Sequence, residues 1–350
     1  MTENNITALA LFSGGLDSML ACRTIMAQGI RVVALKFITP FFDDHLRHRE
    51  EEYRAEILAK YGIDVRLVDL SENYLDLLHN PAHGFGKNFN PCIDCKILMI
   101  STAKKLMAEY GASFMITGEV LGQRPMSQRR DTLRVIERDS ATDDILLRPL
   151  CAKLMNETKA EREGLVDREK LHAFSGRSRK GQKALAVSFG ITDYPNPAGG
   201  CLLTDVNLGA RIARFYAGEF TMVKDDFEAS DIRLLLAGRQ FRLPDGSWLV
   251  VGRMERENDT ITQLRRQGDW LLKMPERPGP TAIICHAEEL LAGSANREEV
   301  LRRAAGLVVY YGRKKDGVAE PGEVCITTSS GIDHIHAEPV REEDLARWRM

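Results

Sequence analysis

The chain has 350 residues, enough for two domains of ordinary size, and its 44% hydrophobic and 28% charged composition is that of a globular protein. A formal net charge of −2 supplies no global field for a polyanion, so any nucleic acid has to be held by local basic patches. No apolar run reaches the ~20 residues of a membrane-spanning helix, and the N-terminus has neither a basic n-region nor a small-residue cleavage site, so a cytoplasmic location without membrane contact is expected.

A short apolar run, ITALALFS (6–13), ends in glycines. Apolar residues then recur at helical spacing from Asp17 to Gln28, with Gly29 as the stop, and the β-branched run IRVVALKFI (30–38) follows. A charged helix (48–62), the strand DVRLVDL (64–70), a helix from about Cys95 to Tyr110 and the strand SFMITG (113–118) continue the alternation. This pattern predicts an α/β fold with a parallel sheet covered on both faces and ligands at the C-terminal strand ends. A polar, helix-rich stretch (152–190) and the turn-rich TDYPNPAGGCLLTD (192–205) close this part. The expected division is 1–205 and 206–350, the second part being a smaller α+β domain with strand signals at SWLVVGRME, TAIICHA, GLVVYYGRKK and GEVCITT.

Between the first strand and first helix, LFSGGLDSML (11–20) places Ser13, Gly14, Gly15, Asp17 and Ser18. Paired glycines let successive backbone N–H groups and the helix N-terminus point at one anion, so a phosphate is the expected ligand. The loop has neither the lysine and spacing of GxxxxGK[ST] nor the form GxGxxG, which disfavours a P-loop kinase or a dinucleotide-dependent dehydrogenase.

SGGLDS is similar to the SGGxDS signature of the PP-loop ATP pyrophosphatases, which adenylate a carbonyl or carboxylate and release pyrophosphate. TGEVLGQRPMSQ (117–128) resembles the TGExLGQxxSQ segment of tRNA 4-thiouridine synthetases, with one extra residue between Gln123 and Ser127, and LKFITPFF (35–42) resembles the segment after that family's second strand. The resemblance covers roughly residues 5–205. It implies ATP binding at Ala10, Leu11, Ser13, Gly14, Gly15, Asp17, Ser18, Lys36, Phe37, Lys96, Gly118, Gln123 and Gln128, with Asp17 acting through Mg2+. The family's usual N-terminal ferredoxin-like and THUMP domains and its rhodanese domain are not evident, so tRNA grip and sulfur supply are expected from elsewhere. LLLAGRQFRLPDGSWLVVGRMEREN (234–258) and GLVVYYGRKKDG (306–317) resemble the RNA-binding domain of NFACT-type proteins. Arg313, Lys314 and Lys315 beside Tyr310 and Tyr311 are candidate phosphate and base contacts, and Arg177, Arg179 and Lys180 form a second basic group.

Of seven cysteines, Cys22, Cys151, Cys285 and Cys325 lie in or beside apolar stretches and read as buried, inert thiols. Cys92 and Cys95 in NPCIDCK, and Cys201 in PAGGC, follow proline or glycine and read as a reactive trio. Three thiolates can hold an iron–sulfur cluster. The cluster-dependent tRNA thiolases of the PP-loop group use a CxxC and a later cysteine in this way, which implies a 4Fe-4S cluster whose open iron accepts sulfide. A persulfide and disulfide pair, as in tRNA 2-thiouridylases, and a zinc site completed by His83 remain open, and Asp94 is either a proton-orienting group or a helix cap. The expected reaction is adenylation of a tRNA uridine carbonyl followed by sulfide transfer, giving 4-thiouridine, with O4 of uridine 8 as the nearest match. The rivals are an amide-forming ligase of the same group and a non-catalytic ATP- and RNA-binding module.

Overall fold

The computed structural model describes residues 6–196, 201–220 and 228–350. The chain divides into two compact units, Met1–Val206 and Asn207–Met350.

In the first unit, β1 (Thr7–Leu11), α1 (Leu16–Met26), β2 (Arg31–Ile38), α2 (Glu50–Tyr61), β3 (Asp64–Asp69), α3 (Ser71–His79), α4 (Cys92–Leu106), β4 (Phe114–Thr117), α5 (Arg130–Asp139) and β5 (Leu146–Leu147) succeed one another. The short α6 (Lys159–Arg162) and α7 (Lys180–Ser188) follow. The sheet is parallel with order β3-β2-β1-β4-β5. Its strands bury both faces, as the near-continuous apolar runs require. Ala8, Ala10, Val32, Ala34, Phe114 and Ile116 enter one core with α1, and Leu9, Val33, Leu35 and Met115 enter the other with Ile100 of α4 and Ile136 of α5. Truncating one of these, such as Leu9, costs about 2–5 kcal/mol. Because β1 pairs with β2 on one side and with β4 on the other, the strand order reverses at β1, and a crevice opens at the C-terminal ends of β1 and β4.

Helix α4 starts at Cys92, not near Cys95, so both cysteines belong to its first turn. Proline at the N-cap position, Pro91, sets the break earlier than the apolar periodicity alone indicates.

The chain continues through α8 (Val206–Tyr216), α9 (Ala229–Leu236), β6 (Arg239–Arg242), β7 (Trp248–Val251), α10 (Glu255–Leu264), β8 (Trp270–Lys273), β9 (Ala282–Ile284), α11 (Ala287–Leu291), α12 (Arg297–Tyr310), β10 (Gly322–Thr327), β11 (Ile332–Ala337) and α13 (Glu342–Trp348). Six of these strands form an antiparallel sheet of order β11-β10-β8-β9-β7-β6. The segment GLVVYY is the end of α12, not a strand. Its β-branched residues are overridden by a helix opening with Glu298 and Glu299, whose Val300, Leu301, Ala304, Leu307 and Val308 bury one stripe in the sheet's core.

Candidate nucleotide and thiol site

The turn after β1 takes Gly14 to φ +79, where an L side chain is strained, and Gly15 is the N-cap of α1 with no side-chain cap. The N-terminal N–H groups of α1 therefore face the crevice without a capping partner, the arrangement that holds an anion. Ser18 Oγ donates to Gly15 O at 2.7 Å and Gly15 N donates to Ser13 Oγ at 3.3 Å, which stiffens the loop. The buried Lys36 donates from Nζ to Ser13 O at 2.7 Å and pairs with Asp43 at 2.5 Å. A cavity of about 430 Å³ opens beside this loop, lined by Ser13, Gly14, Lys36, Asp43, Tyr53 and Tyr194 among others.

Asp17, in the first turn of α1, accepts at Oδ2 from Gln123 Nε2 at 2.6 Å and from Arg179 at 3.2 Å. Gln182 in turn donates to Gln123 Oε1 at 2.9 Å. The other oxygen, Oδ1, is buried without a protein partner. Gly118 closes the crevice from the β4 side, where an added Cβ would lie 2.5 Å from Asp17 C and Ser18 N, so only glycine lets the two backbones approach. Ala10 and Phe37 bury their side chains in the two cores, which leaves only their main chain for a ligand, whereas Leu11 ends β1 at the crevice. Gln128 is buried with Oε1 unpartnered.

Behind Gly118, the buried Glu119 pairs with Lys96 at 2.7 Å and with Arg148 at 3.0 Å. Burial alone pushes this carboxyl up, but the Lys96 and Arg148 charges outweigh it and hold it down at about 2. Arg148 also bonds Glu137. The motif TGEVLGQ contained Glu119, yet its role and those of Arg148 and Gln182 went unrecognised in the sequence. The lone arginine in the apolar run ILLRPL was the available signal.

Lys96 adjoins Cys95, which links this network to the thiols. Burial raises the Tyr74 phenol, and Cys95, Cys201 and Cys92 add to this electrostatically, Cys95 also by a hydrogen bond, which places the three thiols in one neighbourhood. Tyr74 itself is buried and packs against Phe41 at 5.5 Å and Phe42 at 5.7 Å between ring centroids. Asn88, in the segment before Cys92, donates to Thr204 O at 2.6 Å, clasping the turn that follows Cys201. Residues 197–200, the PAGG of the cysteine motif, lie outside the described residues. Burial pushes the Cys95 thiol up to about 12 and raises that of Cys201. Among the described residues no group of three or more His, Cys, Asp or Glu side chains stands ready as a metal cage.

His83 is not available to complete a zinc site, because Nδ1 meets Asp94 at 2.9 Å and Nε2 meets Asp139 at 2.9 Å. Asp94 also accepts from the His83 backbone N–H at 3.0 Å, so it anchors the segment preceding Cys92 and does not face the thiols' chemistry as a free acid. The basic group 177–180 separates: Arg177 and Lys180 are exposed, whereas Arg179 turns inward to Asp17. Arg313, Lys314 and Lys315 are exposed; Lys314 lies over the Tyr310 ring at 5.4 Å, and Tyr311 is covered by Arg239 at 4.2 Å.

Residues 4–160 match the family described as thiamine biosynthesis protein (ThiI). That match falls within the first unit. Residues 238–349 match the NFACT protein RNA binding domain. The first region is also similar to curated proteins named probable tRNA sulfurtransferase. That of Lysinibacillus sphaericus is 28% identical over 147 residues, 42% of this chain and 35% of the relative. That of Ureaplasma parvum is 32% identical over 152 residues, 42% of this chain and 37% of the relative. The chain thus matches little more than a third of the length of these curated relatives. A solved 4-thiouridine synthetase–RNA complex with bound ATP is 20% identical, covering 53% of this chain and 51% of that one, with a TM-score of 0.34. No described helix is long and apolar enough to cross a membrane.

Proposed function

We propose that this chain is an ATP-dependent tRNA thiolase, converting a uridine to 4-thiouridine, with uridine 8 as its target. The observation that carries this reading is Asp17, whose buried Oδ1 has no protein partner beside the uncapped N-terminus of α1. An orphaned carboxylate oxygen next to an anion site fits Mg2+, and Asp17 would hold it; when bound, the ion neutralises phosphate charge. ATP then binds with its pyrophosphate end on the loop of residues 13–18. The uridine carbonyl oxygen attacks the α-phosphorus and pyrophosphate leaves, its charge held by the N–H groups at the start of α1. The adenylated oxygen departs as AMP when sulfur replaces it.

Cys92, Cys95 and Cys201 carry no disulfide, and although the described side chains do not already form a metal cage, three thiolates are the chemistry a 4Fe-4S cluster requires. Cys92, Cys95 and Cys201 would hold it, and the cluster would supply an open coordination position for sulfide. The chain's own contribution there is positional: Tyr74 and the Asn88 clasp keep the CxxC turn and the Cys201 turn together. The relatives' names and the RNA-binding-domain match support tRNA as the partner, gripped by Arg313, Lys314, Lys315, Arg177 and Lys180.

The test is incubation with ATP, sulfide and unmodified tRNA under anaerobic conditions, reading pyrophosphate and tRNA nucleosides by mass spectrometry. The reading predicts tRNA-dependent pyrophosphate release and 4-thiouridine. Pyrophosphate release indifferent to tRNA and to replacement of Cys92, Cys95 and Cys201 would overturn it in favour of an amide-forming ligase.

A further inference from the structure

Cys325 was expected to be a buried, inert thiol, yet it is partly exposed on the open face of the antiparallel sheet. The period-2 pattern explains this. Val324 and Ile326 point into the core, so Glu323, Cys325 and Thr327 point away from it. Antiparallel register sets His334 of β11 directly across from Cys325 and His336 across from Glu323. On the other flank β8 sets Lys273 directly across from Cys325, which puts a cation on the same face. Cys325 Sγ lies 3.9 Å from His334 Nε2, and His334 Nδ1 is hydrogen-bonded to Glu323. Nucleophile, base and orienting carboxylate thus follow one another as in a nucleophilic triad, with the slightly long sulfur contact usual before a substrate arrives.

The surroundings restrict what this thiol attacks. β10 is an interior strand, laddered to β8 and β11 over residues 325–327, so its peptide N–H groups there are committed to the sheet. Acyl transfer needs free donors for an oxyanion, and this face offers none from the strand. Attack on a sulfur–sulfur bond develops no such oxyanion and needs only a thiolate and a protonated leaving group.

We propose that Cys325, His334 and Glu323 form a nucleophilic thiol site that accepts the outer sulfur of a persulfide. The Cys325 S–H proton passes to His334 Nε2 while Glu323 holds Nδ1–H. The thiolate attacks the terminal sulfur of R–S–SH and the donor's S–S bond breaks. R–S⁻ leaves and takes the proton from His334, giving R–SH and Cys325–S–SH. The sulfane sulfur keeps its oxidation level, so no further oxidant or reductant enters. The choice of a persulfide over a simple disulfide rests on the thiolation reading, which requires a sulfur supply.

The experiment treats the full chain with glutathione persulfide, without ATP or tRNA, and follows each cysteine peptide by mass spectrometry. Cys325 is expected to gain one sulfur atom. His334→Phe is expected to slow this roughly tenfold or more, and to remove the imidazole limb from its pH–rate profile; Glu323→Gln is expected to slow it less. Both variants alter an exposed face, and circular dichroism confirms that they fold. Equal loading in wild type and His334→Phe, or loading at other thiols but not at Cys325, overturns the proposal. Reaction with oxidised glutathione as fast as with the persulfide overturns the sulfur-acceptor role in favour of a plain redox thiol. Because loading needs neither nucleotide nor tRNA, its failure leaves the thiolation reading standing, while absent thiouridine with intact loading sinks that reading alone.

Discussion

Gln123 and Asp17 stand 106 residues apart in the chain and meet at 2.6 Å. The contact ties the loop after β4 to the first turn of α1 and fixes which carboxylate oxygen is spent on the protein. Replacing Gln123 by Leu keeps the bulk but leaves Asp17 Oδ2 held by Arg179 alone and removes the acceptor of the buried Gln182. The expected outcome is a raised KM for ATP–Mg2+ with a loss of about 1–3 kcal/mol in stability from the orphaned Gln182 amide, read by steady-state pyrophosphate release and urea unfolding.

Gly118→Ala drives a methyl group onto the peptide between Asp17 and Ser18. Overpacking of this kind costs about 1–3 kcal/mol, and the displaced loop is expected to lose nucleotide affinity. Thermal unfolding and calorimetry with a non-hydrolysable ATP analogue check both effects. Unchanged affinity would remove the loop from the nucleotide site.

Glu119 gives the chain a pH signature. Its carboxyl is lowered from 4.5 to about 2 once the Lys96 and Arg148 charges have overcome burial. A depressed carboxyl contributes its stability above the unfolded value and loses it as pH falls through the folded one, so the contribution is complete at neutral pH and fades between those two values. The shift corresponds to about 3 kcal/mol at neutral pH. Glu119→Gln leaves Lys96 and Arg148 without their shared anion and is expected to lose about that amount at pH 7. Urea unfolding of both proteins at pH 7 and pH 3 should show the gap shrinking in acid.

His83 pins the segment before Cys92 to Asp94 and Asp139, and its hydrogen bond to Asp94 leads the causes that raise its pKa. A raised histidine contributes stability at low pH and loses it as pH rises through the folded value. His83→Phe is expected to speed tryptic cleavage at the exposed Lys87, and the ratio of variant to wild-type cleavage should fall as pH is raised. A ratio of one throughout would deny the latch.

For the second unit, Arg313→Ala, Lys314→Ala and Lys315→Ala are each expected to weaken tRNA binding and to lower the salt slope of log K by about one. Filter binding across a salt series measures this. Substituting Tyr311, already covered by Arg239, should change the slope less.

The parallel sheet was legible because strand and helix periods alternate cleanly from 6 to 118, and the glycine loop because its position after a first strand leaves few other uses for it. GLVVYY misled because local propensity says strand while thirteen-odd residues of helical context, starting from acidic Glu298 and Glu299, decide otherwise. Cys325 misled because an apolar neighbourhood in sequence does not reveal which residues of a strand face outward when only one face is covered. Arg148 and Tyr74 act through partners distant in sequence, Glu119 and Cys95, which no local spacing announces.

Because α4 begins at Cys92, both sulfurs of the pair ride on the end of a helix with no side-chain cap, where the aligned peptides present roughly half a positive charge. Lys96 acts on Cys95 in the same sense, so ammonium and helix end together oppose the burial that raises this thiol.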